Sequence, residues 1–292
     1  AALVQARQAL RDARSQRVHP TLDPKQITSW NALTTAGLLR AARAGGRDDW
    51  TALAQRTLDF IRDRQWDGSR LHAVHNAGES RFHGYLDDYA FTLDALLESL
   101  RTAWRRQDLD FAIDLADALL LRFEDEENGG FFFNDGEQPT PIARSMVVQD
   151  DATPAAYAYA IGSLQQLAGL IGESRYHAAA VRALERAGGG IEQHPVAFAS
   201  AARAAIRLGR PVPQVLLRGS DPQRVDPLRQ WLATLPVHSY LISDGDGDPP
   251  LPGLLEAIAT SKPVSAWVCH GMRCLPPVHS RSDLESLLTQ TD

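Results

Sequence analysis

The sequence has few cysteines, no long apolar run and no basic stripe, and each absence narrows the possible functions. Its 292 residues include two cysteines, too few for a disulfide framework, so we expect a reducing, cytoplasmic compartment. No apolar run approaches the length of a membrane span. The net charge is −6, with arginines and acids interleaved, so we predict neither a nucleic acid nor a membrane as partner.

The sequence also lacks the motifs that mark common cofactor and nucleophile sites. It contains no phosphate loop, no glycine-rich dinucleotide fingerprint, no G-x-S-x-G and no H-E-x-x-H. His72, His75 and His83 share one predicted loop. His72 and His75 could hold a metal or supply a general base, but no third ligand lies at a recognised spacing from this pair, so solvated loop histidines are favoured. We therefore predict no metal and no cofactor.

The chain begins with a polar segment at Ala1 rather than with Met. Residues 1–17 have no apolar region of the kind that signal peptides need. We therefore expect this chain to be part of a longer protein.

Helical periodicity is the strongest pattern in the first 210 residues. Apolar residues recur at spacings of three and four, which places one face of each helix against a core. Short connections predict about eight helices, most of them paired as antiparallel hairpins. The apolar stripes run through 27–44, 50–61, 86–104, 109–123, 157–171, 176–187 and 196–208.

Acidic residues repeat with the helical hairpins. Asp87 follows Asp23 by 64 positions, and Asp150 follows Asp87 by 63 positions. Each of these acids lies at a predicted helix start or shortly before one. Repeated hairpins of this kind close into a toroid whose inner helices start on one face. The spacing therefore predicts an acidic rim.

The pattern changes near residue 210, which divides the chain into a helical-hairpin part at 1–210 and a small α/β unit at 211–292. Short apolar runs predict strands at 214–219, 238–243 and 264–270. Helices are predicted at 227–235 and 282–288, the second capped by Ser282. A Gly/Asp/Pro segment at 244–250 predicts a loop.

An ordered set of short strings resembles one family. The strings lie at 19–23, 28–31, 85–91, 129–132, 151–154 and 267–269. Their order and spacing are similar to the C-terminal half of long thioredoxin-domain proteins, whose animal member is a spermatogenesis-associated protein. The resemblance implies a mainly α fold, namely an α/α toroid of the six-hairpin type like that of N-acylglucosamine 2-epimerases and several glycosidases. It also implies that this toroid is incomplete in this chain. It also implies an N-terminal thioredoxin-like domain as partner.

Two departures from the family's pattern concern the rim. Pro24 stands where the family usually has a second acid, and Ala155 and Ala156 stand where small polar residues are usual. Both departures remove polar groups from the predicted rim.

Asp88 and Asp151 are the candidate catalytic pair, since sugar chemistry commonly uses one protonated and one ionised carboxyl group. The favoured alternative for each acid is capping of a helix start. Trp30, Asn31 and Tyr89 are candidates to line a sugar pocket, with core packing favoured for the two aromatic residues. Further candidate contacts are Asp87, Asp150 and His72.

The leading hypothesis is a domain that binds or processes a sugar-like small molecule. The alternative is a non-catalytic module that presents client proteins to the thioredoxin-like domain. Cys269 and Cys274 leave three options open, a disulfide, a redox pair or half a zinc site, but a buried inert thiol is favoured for Cys269.

Overall fold

The computed structural model describes residues 2–137, 142–243, 250–258 and 262–289, and helices dominate these ranges. None of the helices in them is both long and apolar enough to cross a membrane. The α-helices are α1 (Ala2–Ser15), α2 (Thr28–Gly45), α3 (Asp48–Phe60), α4 (Leu86–Thr102), α5 (Arg106–Phe123), α6 (Ala156–Ile171), α7 (Ser174–Gln193), α8 (Ala199–Gly209), α9 (Pro222–Leu232) and α10 (Arg281–Thr289).

The predicted helical hairpins are confirmed, and they pack in a regular order. Helix α2 pairs with α3, α4 with α5 and α6 with α7, and a π-helical turn (Ile61–Gln65) extends α3. The first helix of each hairpin packs against the first helix of the next, which gives an inner row α2–α4–α6–α8. The apolar stripes lie in the core, as on α4, where Leu93, Leu96 and Leu100 are buried. By contrast, no residue of α1 is buried.

The long segment before α4 contains a β-hairpin where the sequence predicted a polar loop. Strands β2 (His72–Asn76) and β3 (Glu79–His83) pair antiparallel, and β1 (Gln26–Ile27) adds to β2. Ala77 and Gly78 between the strands have φ of 52° and 87°, as a tight hairpin turn requires. The loop prediction was wrong because this strand pairing is local, and it places all three histidines on strands.

The C-terminal part contains a four-stranded sheet in the order β5-β4-β6-β7. Strand β5 is parallel to β4, and the other neighbours are antiparallel. The three longer strands confirm the predicted ones. They are β4 (Gln214–Arg218), β5 (His238–Leu241) and β6 (Ser265–His270), followed by the short β7 (Arg273–Cys274).

Caps explain where the helices of this unit differ from prediction. Helix α9 starts at Pro222 because the Asp221 side chain accepts a hydrogen bond from Gln223 N and proline suits the first helical position. Helix α10 is capped by Ser280, whose Oγ accepts from Asp283 N at 3.2 Å, so the Ser282 cap was wrong. Residues 244–249 of the predicted loop lie outside the described residues.

The sheet buries both faces, in agreement with its near-continuous apolar strands. Leu216, Tyr240 and Trp267 join the apolar core of the helices. Val215 and Leu217 point to the other side, into a second core under α9 and α10. The helical part and the sheet therefore share a core, and the division at residue 210 stays a prediction.

Cys269 and Cys274 lie opposite each other on β6 and β7 and form a disulfide. The favoured inert thiol at Cys269 was therefore wrong, because a two-strand turn brings a second cysteine against it. The expected cytoplasmic location rested on the low cysteine count and stays a prediction.

A buried carboxylate joins the starts of α2 and α4. Asp88 in the first turn of α4 is 2% exposed. Its Oδ2 accepts a hydrogen bond from Tyr85 N at 2.9 Å, and its Oδ1 accepts one from Ser29 N at 2.8 Å. The first backbone N–H groups of a helix lack partners within the helix. Asp88 satisfies one such group from each of two helices.

Asp150 joins the starts of α6 and α8 in the same way. Its Oδ1 accepts from Ala155 N and its Oδ2 from Ser200 N, both at 2.8 Å. Asp88 and Asp150 therefore form two helix-start bridges, each between neighbouring helices of the inner row. This capping role is the alternative that the sequence favoured for such acids.

Replacing Asp88 with Ala should remove the first helix-start bridge. Two N–H groups in a buried setting would lose their acceptor, so we expect the free energy of unfolding to fall by about 2–4 kcal/mol. Urea unfolding followed by circular dichroism measures this loss. The control is Asp151→Ala at an exposed carboxyl group, for which we expect a change within about 0.5 kcal/mol. Equal effects of the two variants would contradict the bridge.

The Asp88 bridge should also give the stability a pH dependence. Burial raises the pKa of Asp88 to about 7, against about 3.9 in an unfolded chain. Between these values native Asp88 holds a proton that the unfolded chain has released, so its contribution to stability falls as the pH rises. We expect the free energy of unfolding of the wild type, relative to Asp88→Asn, to fall between about pH 4 and pH 7. Parallel pH profiles would show that the folded carboxyl group is already ionised.

Reduction of the disulfide should lower the stability modestly. The two cysteines are five positions apart, and closing so short a loop constrains the unfolded chain by about 2 kcal/mol. We expect dithiothreitol to lower the free energy of unfolding by about that amount. A variant with both Cys269→Ser and Cys274→Ser should not respond to dithiothreitol. An unchanged wild type with two titratable thiols would count against this expectation.

Candidate functional site

Asp87 lies half-buried at the start of α4, next to the bridging Asp88. Burial raises the pKa of the Asp87 carboxyl group. Within the described parts of the chain, it has no hydrogen bond or ion pair to offset that burial. A partly buried, unpaired carboxyl group with a raised pKa is typical of a general acid.

Aromatic residues lie at the helix starts that the Asp88 bridge joins. Trp30 follows Ser29, whose backbone N–H donates to Asp88. Trp30 itself is 64% exposed. Core packing was therefore the wrong interpretation for Trp30. The ring of Tyr85, just before α4, stacks on Phe133 with centroids 5.0 Å apart. The helix starts thus carry an exposed indole and a stacked aromatic pair beside a carboxyl group.

The other predicted lining residues serve local structure. The side-chain amide of Asn31 donates to Ile27 O at 2.8 Å, within its own helix start. Tyr89 is buried, its hydroxyl accepts from Leu71 N at 2.8 Å, and burial raises its pKa to about 12. Core packing is therefore confirmed for Tyr89.

The predicted catalytic pair occupies two different environments. Both carboxylate oxygens of Asp88 are engaged in its bridge, whereas Asp151 is exposed. Burial alone would raise the pKa of Asp150, but hydrogen bonds from Ala155 N and Ser200 N outweigh burial and lower it. The geometry makes Asp88 and Asp150 structural acceptors. A catalytic role for Asp151 stays a prediction.

The three histidines have separate partners. His72 Nε2 lies 3.6 Å from Asp67, and His75 Nδ1 lies 2.9 Å from Ser80 Oγ. These contacts do not bring the two rings to one shared ligand. A pocket role for His72 stays a prediction.

His83 belongs to a cluster with two carboxylates. Its Nδ1 lies 2.7 Å from Asp135, and the ligand atoms of His83, Asp135 and Glu137 lie within 4.8 Å of one another. The Arg70 guanidinium already occupies this cluster, 2.5 Å from Glu137 and 3.2 Å from His83. Arg122 adds a second bond to Glu137 at 3.0 Å. Because two guanidinium groups already balance the carboxylates, the cluster favours a structural link between hairpin and loop over a metal site.

A charged face on the inner helices was missed by the sequence analysis. Asp94 and Glu98 lie about two and three turns further along the side of α4 that starts at Asp87. Arg40 of α2 donates to Asp94 at 2.6 Å and to Glu98 at 3.1 Å. Arg43 and Arg101 add bonds to Glu98 at 2.8 and 3.0 Å.

Burial and mutual charge set the ionisation of this face. Burial works to raise the pKa of Glu98, but Arg101, Arg43 and Arg40 lower it to about 2. Burial raises the pKa of Asp94. At the far end, burial and the nearby Arg101 lower the pKa of His238 to about 3. The His238 ring is therefore neutral at neutral pH.

The charged face is concave. Arg203 and Arg207 of α8 lie within electrostatic range of Asp94 on α4, although α6 lies between these two helices. The inner row must therefore curve. Strand β5 packs against α4 at the far end and forms a floor. We call this surface the concave face, formed by Arg40, Asp94, Glu98, Arg203 and Arg207, with Asp87 at its mouth.

The sequence contained one signal for this face. Asp94 and Glu98 are the only charged residues between Tyr89 and Leu100 of α4. Charged residues in such a helix need partners, because burying an isolated charge is costly. Two of those partners, Arg40 and Arg43, come from α2, which no local pattern identifies, and the third, Arg101, lies on α4 itself.

Comparison with known sequences finds distant relatives. No family model matches the chain. It is 26% identical over 297 residues to spermatogenesis-associated protein 20 of Rattus norvegicus, covering 95% of this chain and 38% of that protein. An uncharacterized protein of Caenorhabditis elegans is 25% identical over 304 residues, covering 98% and 41%. The chain thus spans about two fifths of the length of the curated relatives it matches.

Comparison with solved structures concerns the fold alone. A GH76 α-mannanase of Bacteroides thetaiotaomicron superposes with a TM-score of 0.48 at 16% identity, over 59% of this chain and 47% of that one. A cellobiose 2-epimerase of Bacillus thermoamylovorans gives 0.47 at 15% identity, over 57% and 45%. The chain is thus a distant homologue of spermatogenesis-associated protein 20, and its mainly helical fold resembles the α/α toroids of these carbohydrate enzymes over somewhat more than half its length.

Proposed function

We propose that the mouth and concave face bind a carbohydrate and that Asp87 is the acid of this site. The observation that carries the proposal is the half-buried Asp87 carboxyl group, whose pKa burial raises and which has no partner among the described residues. A carboxyl group that keeps its proton to higher pH can donate it to a sugar oxygen. This assignment moves the acid from Asp88, whose oxygens hold two helices, to its neighbour.

The surroundings of Asp87 suit a sugar. The exposed Trp30 ring offers an apolar surface for one face of a pyranose. Below the mouth, the arginines and carboxylates of the concave face offer hydrogen bonds for hydroxyl groups. Asp151, exposed before α6, is the candidate for the second, ionised carboxylate of an acid/base pair.

The second candidate is the non-catalytic interaction module. Trp30 and Phe82 expose 64% and 65% of their surface, and exposed aromatic rings also suit an apolar segment of a client protein. In this case ligand binding would depend on the aromatic rings and not on the carboxyl groups.

Thermal-shift measurements against neutral and anionic mono- and disaccharides test the proposal. A ligand that binds the native state raises the melting temperature by mass action. We expect one sugar class to raise it for the wild type, and this shift to be lost in Trp30→Ala and reduced in Asp87→Asn. The matched control is Asp114→Asn, at an exposed carboxyl group of α5 whose pKa burial also raises. It should keep the full shift.

The outcomes separate the two candidates. The absence of a shift at millimolar sugar, with all variants folded, would contradict carbohydrate binding. Binding of apolar peptides that depends on Trp30 but not on Asp87 would support the interaction module. If Asp151→Asn also reduces a sugar-dependent shift, Asp151 belongs to the same site.

A further inference from the structure

Two arginines of α8 face the concave face without a carboxylate partner. Arg203 and Arg207 are exposed and lie one helical turn apart, so they project from the same side of α8. The Arg203 guanidinium lies 5.1 Å from the centre of the Tyr159 ring. Within the described residues neither arginine forms an ion pair, whereas Arg40 and Arg43 both do. Both guanidinium groups therefore keep donors that no described carboxylate accepts.

The concave face carries more positive than negative charge. Its two carboxylates, Asp94 and Glu98, are already bonded by arginines of α2 and α4. His238 on the floor adds no charge, because its ring is neutral at neutral pH. Arg203 and Arg207 thus add two positive charges that no acid of the face balances. The chain as a whole has a net charge of −6, so this local excess does not follow from the composition.

The face also has open space beside these arginines, where a small cavity of about 30 Å³ lies. At Gly162 of α6, which lies between α4 and α8, an added Cβ would have no atom within 4 Å. Gly162 also lines this cavity with Arg207, Gln166, Gln214 and His238. Gln214 Oε1 is buried there without a partner among the described residues. Polar groups and open space therefore meet at the level of Arg207.

We propose that the ligand of the concave face is an anionic carbohydrate whose carboxylate or phosphate group binds Arg203 and Arg207. This inference rests on the proposed function, and it adds the chemical class of the sugar. Guanidinium groups bind carboxylate and phosphate oxygens through paired, charge-assisted hydrogen bonds. With the anionic group at α8, the sugar ring extends over the concave face toward Trp30 and Asp87 at the mouth.

Calorimetric titration with four probes tests the inference. The probes are glucose, glucuronate, glucose 6-phosphate and inorganic phosphate. We expect glucuronate or glucose 6-phosphate to bind at least tenfold more tightly than glucose, because charge-assisted hydrogen bonds exceed neutral ones. Comparing the affinities of glucuronate and glucose 6-phosphate identifies whether the site binds a carboxylate or a phosphate group.

Variants locate the site. Arg203→Gln and Arg207→Gln should each weaken the anionic sugar about tenfold and weaken glucose much less, so that the preference for the anionic sugar falls. The matched control is Arg56→Gln, at an exposed arginine of the outer helix α3, which should change neither affinity. Added salt should weaken the anionic sugar more than glucose.

Different binding results would overturn the anionic class and the carbohydrate site. Equal affinities for glucose and the anionic sugars, unaffected by either arginine variant, would overturn the anionic class but keep the carbohydrate site. Binding of inorganic phosphate as tight as that of glucose 6-phosphate would overturn both, since the sugar would then contribute nothing. The lack of any binding by all four probes to the folded wild type would also overturn both.

Discussion

Backbone N–H groups at buried helix starts need acceptors, and the arrangement of the inner helices depends on how two aspartates meet this need. Asp88 accepts from the starts of α4 and α2, and Asp150 from those of α6 and α8. A cap within one helix only stabilises that helix. A carboxylate shared by two helix starts also fixes one helix relative to its neighbour. The mouth of the concave face is therefore held by the same two side chains that stabilise the helices.

This constraint separates the roles of neighbouring acids. In the Asp87–Asp88 pair, the second residue is buried and fully bonded, whereas the first is half-buried and has no partner within the part of the chain that the structure describes. In the Asp150–Asp151 pair the order is reversed, because Asp150 forms the bridge and Asp151 is exposed. Each repeat thus uses one carboxylate for the fold and frees another beside it. In each pair the free carboxylate is the sequence neighbour of the residue that forms the bridge.

The sequence predicted the helical hairpins well because apolar periodicity and acidic helix starts are local signals. It also identified Asp87–Asp88 and Asp150–Asp151 as positions of interest. It could not assign the members of each pair, because Ser29 N lies 59 positions from Asp88 and Ser200 N lies 50 from Asp150. The Cys269–Cys274 disulfide was one of three options that the sequence left open, for a similar reason. It depends on a tight turn between two strands, of which the second is only two residues long.

The charged face could not be predicted from the sequence, because its residues come together only through the packing of separate helices. On α4 alone, Asp94 and Glu98 look like costly buried acids, and on α8 alone Arg203 and Arg207 look like ordinary solvated arginines. The curvature of the inner row brings both sets around one space. Arg40, Arg43 and Arg101 already neutralise the two acids, so further positive charge on this face adds repulsion. The pKa of Arg207 is accordingly lowered, first by its partial burial and then by the charge of Arg203. Neither Arg203 nor Arg207 forms an ion pair within the described residues, and their shared position at the concave face supports the proposal that they bind an anion.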